Sequence, residues 1–204
     1  MDIKKEFLYW GKRLYESGYS PGTSGNMSVR TENGMYISSS GSCLGDMDES
    51  DIIFVDYKGK SDKDAKKPSM EKNMHLKIYV LRKDIGAIFH CHSPKLSAFA
   101  MCAKPLREHC ISEMVFHFGE IPCAPYAMPS SDRLAEATSE YFLNFDTVIM
   151  ANHGAIAGSD SLKNAFYKIE TAENYAASLI DSYIIGKPKS LSQKDISDII
   201  KLRK

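Results

Sequence analysis

The sequence predicts a single α/β layered domain. Three observations support this: short β-like runs closed by turn residues, helical periodicity between those runs, and no linker anywhere in the 204 residues. Strands alternate irregularly with helices, so pattern alone does not give strand order or direction. Hydrophobic residues make up 43% and charged residues 25%, the balance of an ordinary soluble globular protein with a folded core. The length suits one well-packed domain, taken as residues 1–204.

Taken in order, Ile3, Phe7, Trp10 and Leu14 recur at steps of four, three and four, which is one face of a helix over residues 2–17. Gly18 supplies its left-handed stop. After SPGTSGN come MSVR and MYISSS, joined by TENG, then IIFVD and YKGK, each read as a short strand closed by a turn. Pro68 and Ser69 open the next helix, with Met70, Met74, Ile78 and Leu81 on its inner face. GAIFHCH follows as a strand, and Ser93-Pro94 reads as the N-cap and first turn of another helix. EIPCAPYA is extended, residues 131–143 are helical, and TVIMANHG and AIAG are strand-like. A long helix runs from about Leu162 to Ile185 and ends at Gly186 and Pro188, and Ile196, Ile199 and Ile200 repeat at helical spacing in the last segment.

Lys plus Arg balances Asp plus Glu at 26 each, so no net field recruits nucleic acid or an anionic membrane. No apolar run approaches the roughly 18 residues of a membrane span, and MDIKKEFLYW lacks a long apolar leader core. Cys43, Cys91, Cys102, Cys110 and Cys123 form an odd set without a C-x-x-C pair, which argues against a disulfide framework or a zinc knuckle. The protein therefore reads as soluble and cytoplasmic, with free thiols.

The chemistry concentrates where apolar runs end. In a strand, side chains two apart share a face, so His90 and His92 project together while Cys91 enters the opposite layer. Such a pair could hold one metal ion, or could be two packed or surface histidines. His153, in MANHGAIAG, offers a third imidazole at another strand end, where Gly154 lets backbone and ligand approach closely. Glu71 falls in the first turn of its helix, where the macrodipole alone would explain a carboxylate. That helix leads into the strand carrying His90 and His92, so Glu71 is also a candidate ligand or base. The loops GTSGN and SSSG, together with Ser69 at a helix start, offer N–H and O–H donors that suit a phosphate, although Gly/Ser loops are commonly only turns.

The succession GTSGNMSVR, MYISSSG, KPSMEKNMH, HCH, IPCAPYA and NHG, over roughly residues 3–185, resembles the class II aldolase/adducin family, and most closely its L-fuculose-phosphate aldolase branch. The resemblance implies an α/β/α sandwich around a mainly antiparallel sheet, assembled as a homotetramer with active sites between subunits. It implies one Zn2+ per subunit on His90, His92 and His153, with Glu71 as the acid/base that also caps the metal. Phosphate-binding positions fall on Gly25, Asn26, Ser40, Gly41 and Ser69.

The implied reaction is reversible cleavage of a ketose 1-phosphate to dihydroxyacetone phosphate and an aldehyde, the metal acting as a Lewis acid. Three positions depart from the family pattern. Met70 stands where a second serine is usual, CISEMVFHFGE lacks the family's tyrosine and offers His117 as a polar substitute, and the last tyrosine is Tyr183, inside the long helix. Epimerisation, dehydration or decarboxylation of a related sugar phosphate would use the same histidines. A non-catalytic adducin-like module or a structural zinc site would not need Glu71 beside three histidines and the loop hydroxyls.

Overall fold

The computed structural model describes residues 2–203. Its strands are β1 (Asn26–Thr31), β2 (Gly34–Ser38), β3 (Ile52–Asp56), β4 (Ala87–Cys91), β5 (Cys123–Ala124), β6 (Thr147–Met150) and β7 (Gly154–Ser159). They form one sheet in the order β3-β2-β1-β4-β7-β6-β5. Every neighbouring pair is antiparallel except β5 with β6, so the sheet is mixed and mainly antiparallel.

The period-two alternation of the strands divides the core in two. One face carries Met27, Phe89, Cys91, Ile149, Ala155 and Ala157. Against it pack the helices α1 (Ile3–Glu16), α3 (Pro94–Met101), α4 (Ser112–His117) and α6 (Leu162–Ile185). The other face carries Met35, Ile37, Ile88, Val148, Met150 and Ile156 beneath α2 (Lys72–Leu81) and α5 (Asp132–Tyr141). Full burial of side chains such as Phe89 and Phe166 stabilises the layers by about 1.5–3 kcal/mol each. The last helix, α7 (Gln193–Lys201), lies on α4 and buries Ile196. Among the described residues no helix is long and apolar enough to cross a membrane.

Most expected elements form where the pattern places them. The α1 stop is made by Gly18 at φ +73°, with Tyr19 N–H donating to the Leu14 carbonyl at 3.2 Å. YKGK is a turn rather than a strand, because the Asp56 carboxylate captures the N–H groups of Lys58 and Lys60 at 2.9 and 2.8 Å. α2 begins at Lys72 and not at Ser69. The Ser69 N–H donates to the Ser38 carbonyl at 3.0 Å and Pro68 bridges to Ser39, which holds this stretch extended beside the sheet. Met70 and Leu81 consequently stand outside the buried face, at 70% and 44% exposure, while Met74 and Ile78 are inside it.

Ser93 occupies the N-cap position of α3 but makes no capping bond with its side chain. The buried Glu173 carboxylate of α6 takes that role, accepting from Lys95 N–H at 2.7 Å and Leu96 N–H at 2.9 Å. A negative group at the positive end of a helix dipole is favourable, and here it also ties α3 to α6.

Candidate metal centre

Three antiparallel pairings build the site at one end of the sheet. β4 runs out at Cys91 with His90 opposite Asn26 of β1, and Cys91 stands opposite Ala155 of β7. The tight turn between β6 and β7 takes Asn152 to φ +55° and delivers His153 beside the end of β4. A Cβ added to Gly154 would lie 2.5 Å from the Cys91 carbonyl oxygen, 2.7 Å from His92 Cδ2 and 3.4 Å from His90 Cε1. Only glycine therefore fits between the two histidine-bearing segments.

The three imidazoles converge, with ligand nitrogens all within 4.8 Å of one another and one carboxylate between them. His92 Nε2 is 3.1 Å from His90 Nε2, and the Glu71 carboxylate oxygens stand 3.3 Å from His90 Nε2 and 3.3 Å from His153 Nε2. Donors set tetrahedrally around zinc at its usual bond length of about 2.0–2.1 Å would be about 3.3 Å apart, so these separations suit such an ion. His90 Nδ1–H donates to the Ala155 carbonyl at 3.0 Å, which turns the Nε2 lone pair inward. The cluster is thus capable of coordinating a divalent metal.

Burial pushes His90 and His92 below the ordinary imidazole value and takes His153 down to about 4, so all three present neutral nitrogens. Burial works to raise Glu71, but the His90 and His153 rings and the Asn26 amide outweigh it and hold the carboxyl below its usual range. We expect Gly154→Ala, which alters no ligand, to weaken divalent-metal affinity by roughly 10–100-fold through displacement of two of them. Isothermal titration calorimetry checks this, and an unchanged dissociation constant would show that the turn can yield.

Of the residues expected to bind phosphate, Gly25, Asn26 and Ser69 lie against residues of the histidine cluster or Glu71. Gly25 has φ +73° and packs so closely that an added Cβ would come within 2.7 Å of the His90 carbonyl oxygen. The backbone of Ser40 is tied to the Lys67 carbonyl at 2.8 Å and that of Ser69 to Ser38, which brings the SSSG loop beside Ser69. Gly41 is exposed with open space around it. Asn26 is engaged differently from the rest, because its side-chain Nδ2 donates to Glu71 Oε2 at 2.9 Å. His117 lies far from the triad of its own chain, lining a pocket with Ser159 and Asp160 at the opposite end of β7 from Gly154.

Sequence reasoning passed over several residues that shape the site. Asp51 anchors the SSSG loop by accepting from Ser39 Oγ at 2.6 Å and Lys66 Nζ at 2.8 Å. Burial opposes its charge, and the Lys66 and Ser39 bonds overcome this and lower its carboxyl. His75 is fully buried beneath Asn26, and its position four residues after Glu71, on the same side of the chain, was the available signal. Burial takes His75 down to about 3. Its unfolded form protonates near pH 6.5 while the folded form stays neutral, so stability is lost as pH falls from about 6.5 toward 3. Denaturant midpoints of the metal-free protein should therefore fall steadily across that window, and a flat profile would contradict it.

The fold and the convergent imidazoles define an α/β domain with a histidine cluster capable of coordinating a divalent metal. The model of the Class II Aldolase and Adducin N-terminal domain matches residues 5–180, and the chain belongs to the class II aldolase and adducin family. It is 32% identical over 201 residues to the 5-deoxy-D-ribulose 1-phosphate aldolase of Bacillus thuringiensis serovar kurstaki, covering 97% of this chain and 93% of that one. It is 34% identical to the L-fuculose phosphate aldolase of Methanocaldococcus jannaschii, covering 90% and 99%. A solved L-fuculose 1-phosphate aldolase superposes with a TM-score of 0.91 at 30% identity, covering 98% of this chain and 95% of that one. YgbL of Klebsiella pneumoniae, for which aldolase, epimerase and decarboxylase are given as alternatives, superposes with a TM-score of 0.87 at 26% identity, covering 97% of each chain.

Proposed function

We propose that the protein is a zinc-dependent lyase that reversibly cleaves a ketose 1-phosphate, of the L-fuculose 1-phosphate type, into dihydroxyacetone phosphate and an aldehyde. The observation carrying this reading is the Glu71 carboxylate wedged 3.3 Å from two of three convergent imidazoles, beside loops rich in N–H and O–H donors. The two relatives named above act, by their names, on a ribulose 1-phosphate derivative and a fuculose phosphate. His90, His92 and His153, together with Glu71, would hold one Zn2+ per subunit, which would supply Lewis acidity toward the substrate carbonyl.

The chain's own residues then have distinct tasks. Gly25, Asn26, Ser40, Gly41 and Ser69 hold the phosphate and so fix the position of the reacting carbons. As the C4 hydroxyl gives up its proton and becomes the aldehyde carbonyl, the C3–C4 bond breaks with its electron pair staying on C3; Glu71, ionised at rest, takes up that proton and passes it to C3, and in the synthetic direction removes it from C3. Burial of Glu71 at 8% exposure keeps bulk water from competing for that proton.

A second reading, epimerisation, dehydration or decarboxylation of a related sugar phosphate, is favoured by Met70 in place of a hydroxyl and by the likeness to YgbL. A non-catalytic adducin-like role is disfavoured by the presence of all four site residues. We further propose one domain over residues 1–204, a cytoplasmic location consistent with five free cysteines, and a homotetramer with sites at its interfaces. Met70, 70% exposed beside Glu71, supports a subunit contact there.

The deciding experiment incubates zinc-loaded protein with a panel of ketose 1-phosphates and pentulose 5-phosphates, followed by mass spectrometry and NMR. Dihydroxyacetone phosphate is the expected product. Intact sugars throughout, with metal occupancy verified, would reject cleavage; inverted or dehydrated products would select the second reading. Light scattering on the eluting protein reads the assembly directly.

A further inference from the structure

Beneath the metal centre, between β1 and α2, runs a line of buried polar side chains, three of which, Ser28, His75 and Tyr79, the proposed chemistry does not use. Ser28, His75 and Tyr79 are all at 0% exposure, with Asn26 at 6% and Glu71 at 8%. Tyr79 OH lies 2.8 Å from Ser28 Oγ, which lies 2.7 Å from His75 Nδ1. His75 Nε2 is 2.7 Å from Asn26 Oδ1, and Asn26 Nδ2 is 2.9 Å from Glu71 Oε2. Five polar side chains so deeply buried and mutually bonded are costly to assemble unless each is satisfied.

The direction of every bond in this chain follows from its last member. An ionised carboxylate only accepts, so Asn26 must present its NH2 to Glu71 and its carbonyl oxygen to His75. His75 must then carry its proton on Nε2, leaving Nδ1 as an acceptor for the Ser28 hydroxyl. Ser28, having donated, accepts from Tyr79. The far end is anchored by Arg30, whose Nη2 donates to the Tyr79 carbonyl at 2.8 Å and whose guanidinium lies 4.5 Å from the centre of the Tyr79 ring. All the hydrogens therefore point toward Glu71.

We propose that His75 is a positioning residue. As the Nε2–H tautomer it locks the Asn26 amide in the orientation that donates to Glu71, and so holds the ionised carboxylate facing His90 and His153. The reverse orientation of Asn26 would require a protonated Glu71 and a His75 proton on Nδ1, and would leave the Tyr79 hydroxyl hydrogen without an acceptor among the described residues. The chain is thus biased toward the charged form of Glu71. This inference rests on the proposed role of Glu71, but its test does not need a substrate.

The first measurement is long-range 1H–15N correlation on the metal-free, histidine-labelled protein at neutral pH. Assignment of His75 as the Nε2–H tautomer is expected, and the Nδ1–H tautomer overturns the proposal. The second compares His75→Gln, whose amide NH2 can still donate to Asn26, with His75→Asn, which reaches only the Ser28 side. Zinc affinity by calorimetry should fall roughly 10–100-fold in the asparagine variant and stay near wild type in the glutamine variant. Equal affinities in both variants overturn the proposal even where one of them folds poorly, because the tautomer arm uses the native chain. Where a substrate is found, kcat should follow the same split with KM little changed. A wild-type enzyme that cleaves nothing yet shows the Nε2–H tautomer and the split in zinc affinity defeats the aldolase reading and leaves this inference standing.

Discussion

The Glu71→Gln enzyme is expected to fold, assemble and bind its metal while losing turnover by roughly 10²–10⁴-fold, the usual worth of a placed general acid or base. The substitution is nearly isosteric, and a glutamine carbonyl can still accept from Asn26 Nδ2, now 2.9 Å from the carboxylate. What an amide cannot do is exchange a proton with carbon, so the loss should appear in kcat and leave substrate affinity nearly intact. Steady-state kinetics on the substrate identified by the panel, together with metal analysis of the variant, provide the check. Turnover within a few-fold of wild type would remove Glu71 from the chemistry and leave it a ligand only.

His92→Ala is expected to abolish stoichiometric metal uptake and, with it, all measurable activity. Among the three imidazoles His92 is the informative one to remove. It sits just past the end of β4 and is partly exposed, whereas His90 is at 1% exposure and bonded to the Ala155 carbonyl. Truncating His92 should therefore change the stability of the metal-free protein by no more than about 1–2 kcal/mol. The metal-dependent part should vanish. A ligand at a thousand times its dissociation constant stabilises the folded state by about 4 kcal/mol, so zinc should raise the wild-type melting temperature and leave that of the variant unmoved. A variant that still takes up one equivalent of zinc would place the metal on other groups.

The candidate ligands were legible because local periodicity carries them. His90 and His92 are two apart at a strand end, so they share a face whatever the partner strands are, and Gly154 beside His153 marks a place where backbone and ligand approach closely. The extent of α6, Leu162–Ile185, follows from its own repeat and the Gly186-x-Pro188 stop. The start of α2 was less accessible. Ser69 and Pro68 have good local credentials for opening a helix, but pairing with Ser38 and Ser39 holds them extended, and the helix waits until Lys72. The six-residue α4 is shorter than two turns and leaves too little periodicity to read.

The amino-acid sequence by itself determined most of the strands and the longer helices, much of the faces they bury, and which residues can bind a metal, since these depend on side chains a few positions apart. Only the tertiary structure decided that β4 lies between β1 and β7, because strand order rests on hydrogen bonds between residues far apart in the chain. That order brings Asn26 against Glu71, sets His75 beneath it, and puts Glu173 rather than Ser93 at the start of α3. Each of these contacts joins residues 45 or more positions apart, a span over which local pattern carries no information and only packing selects the partner.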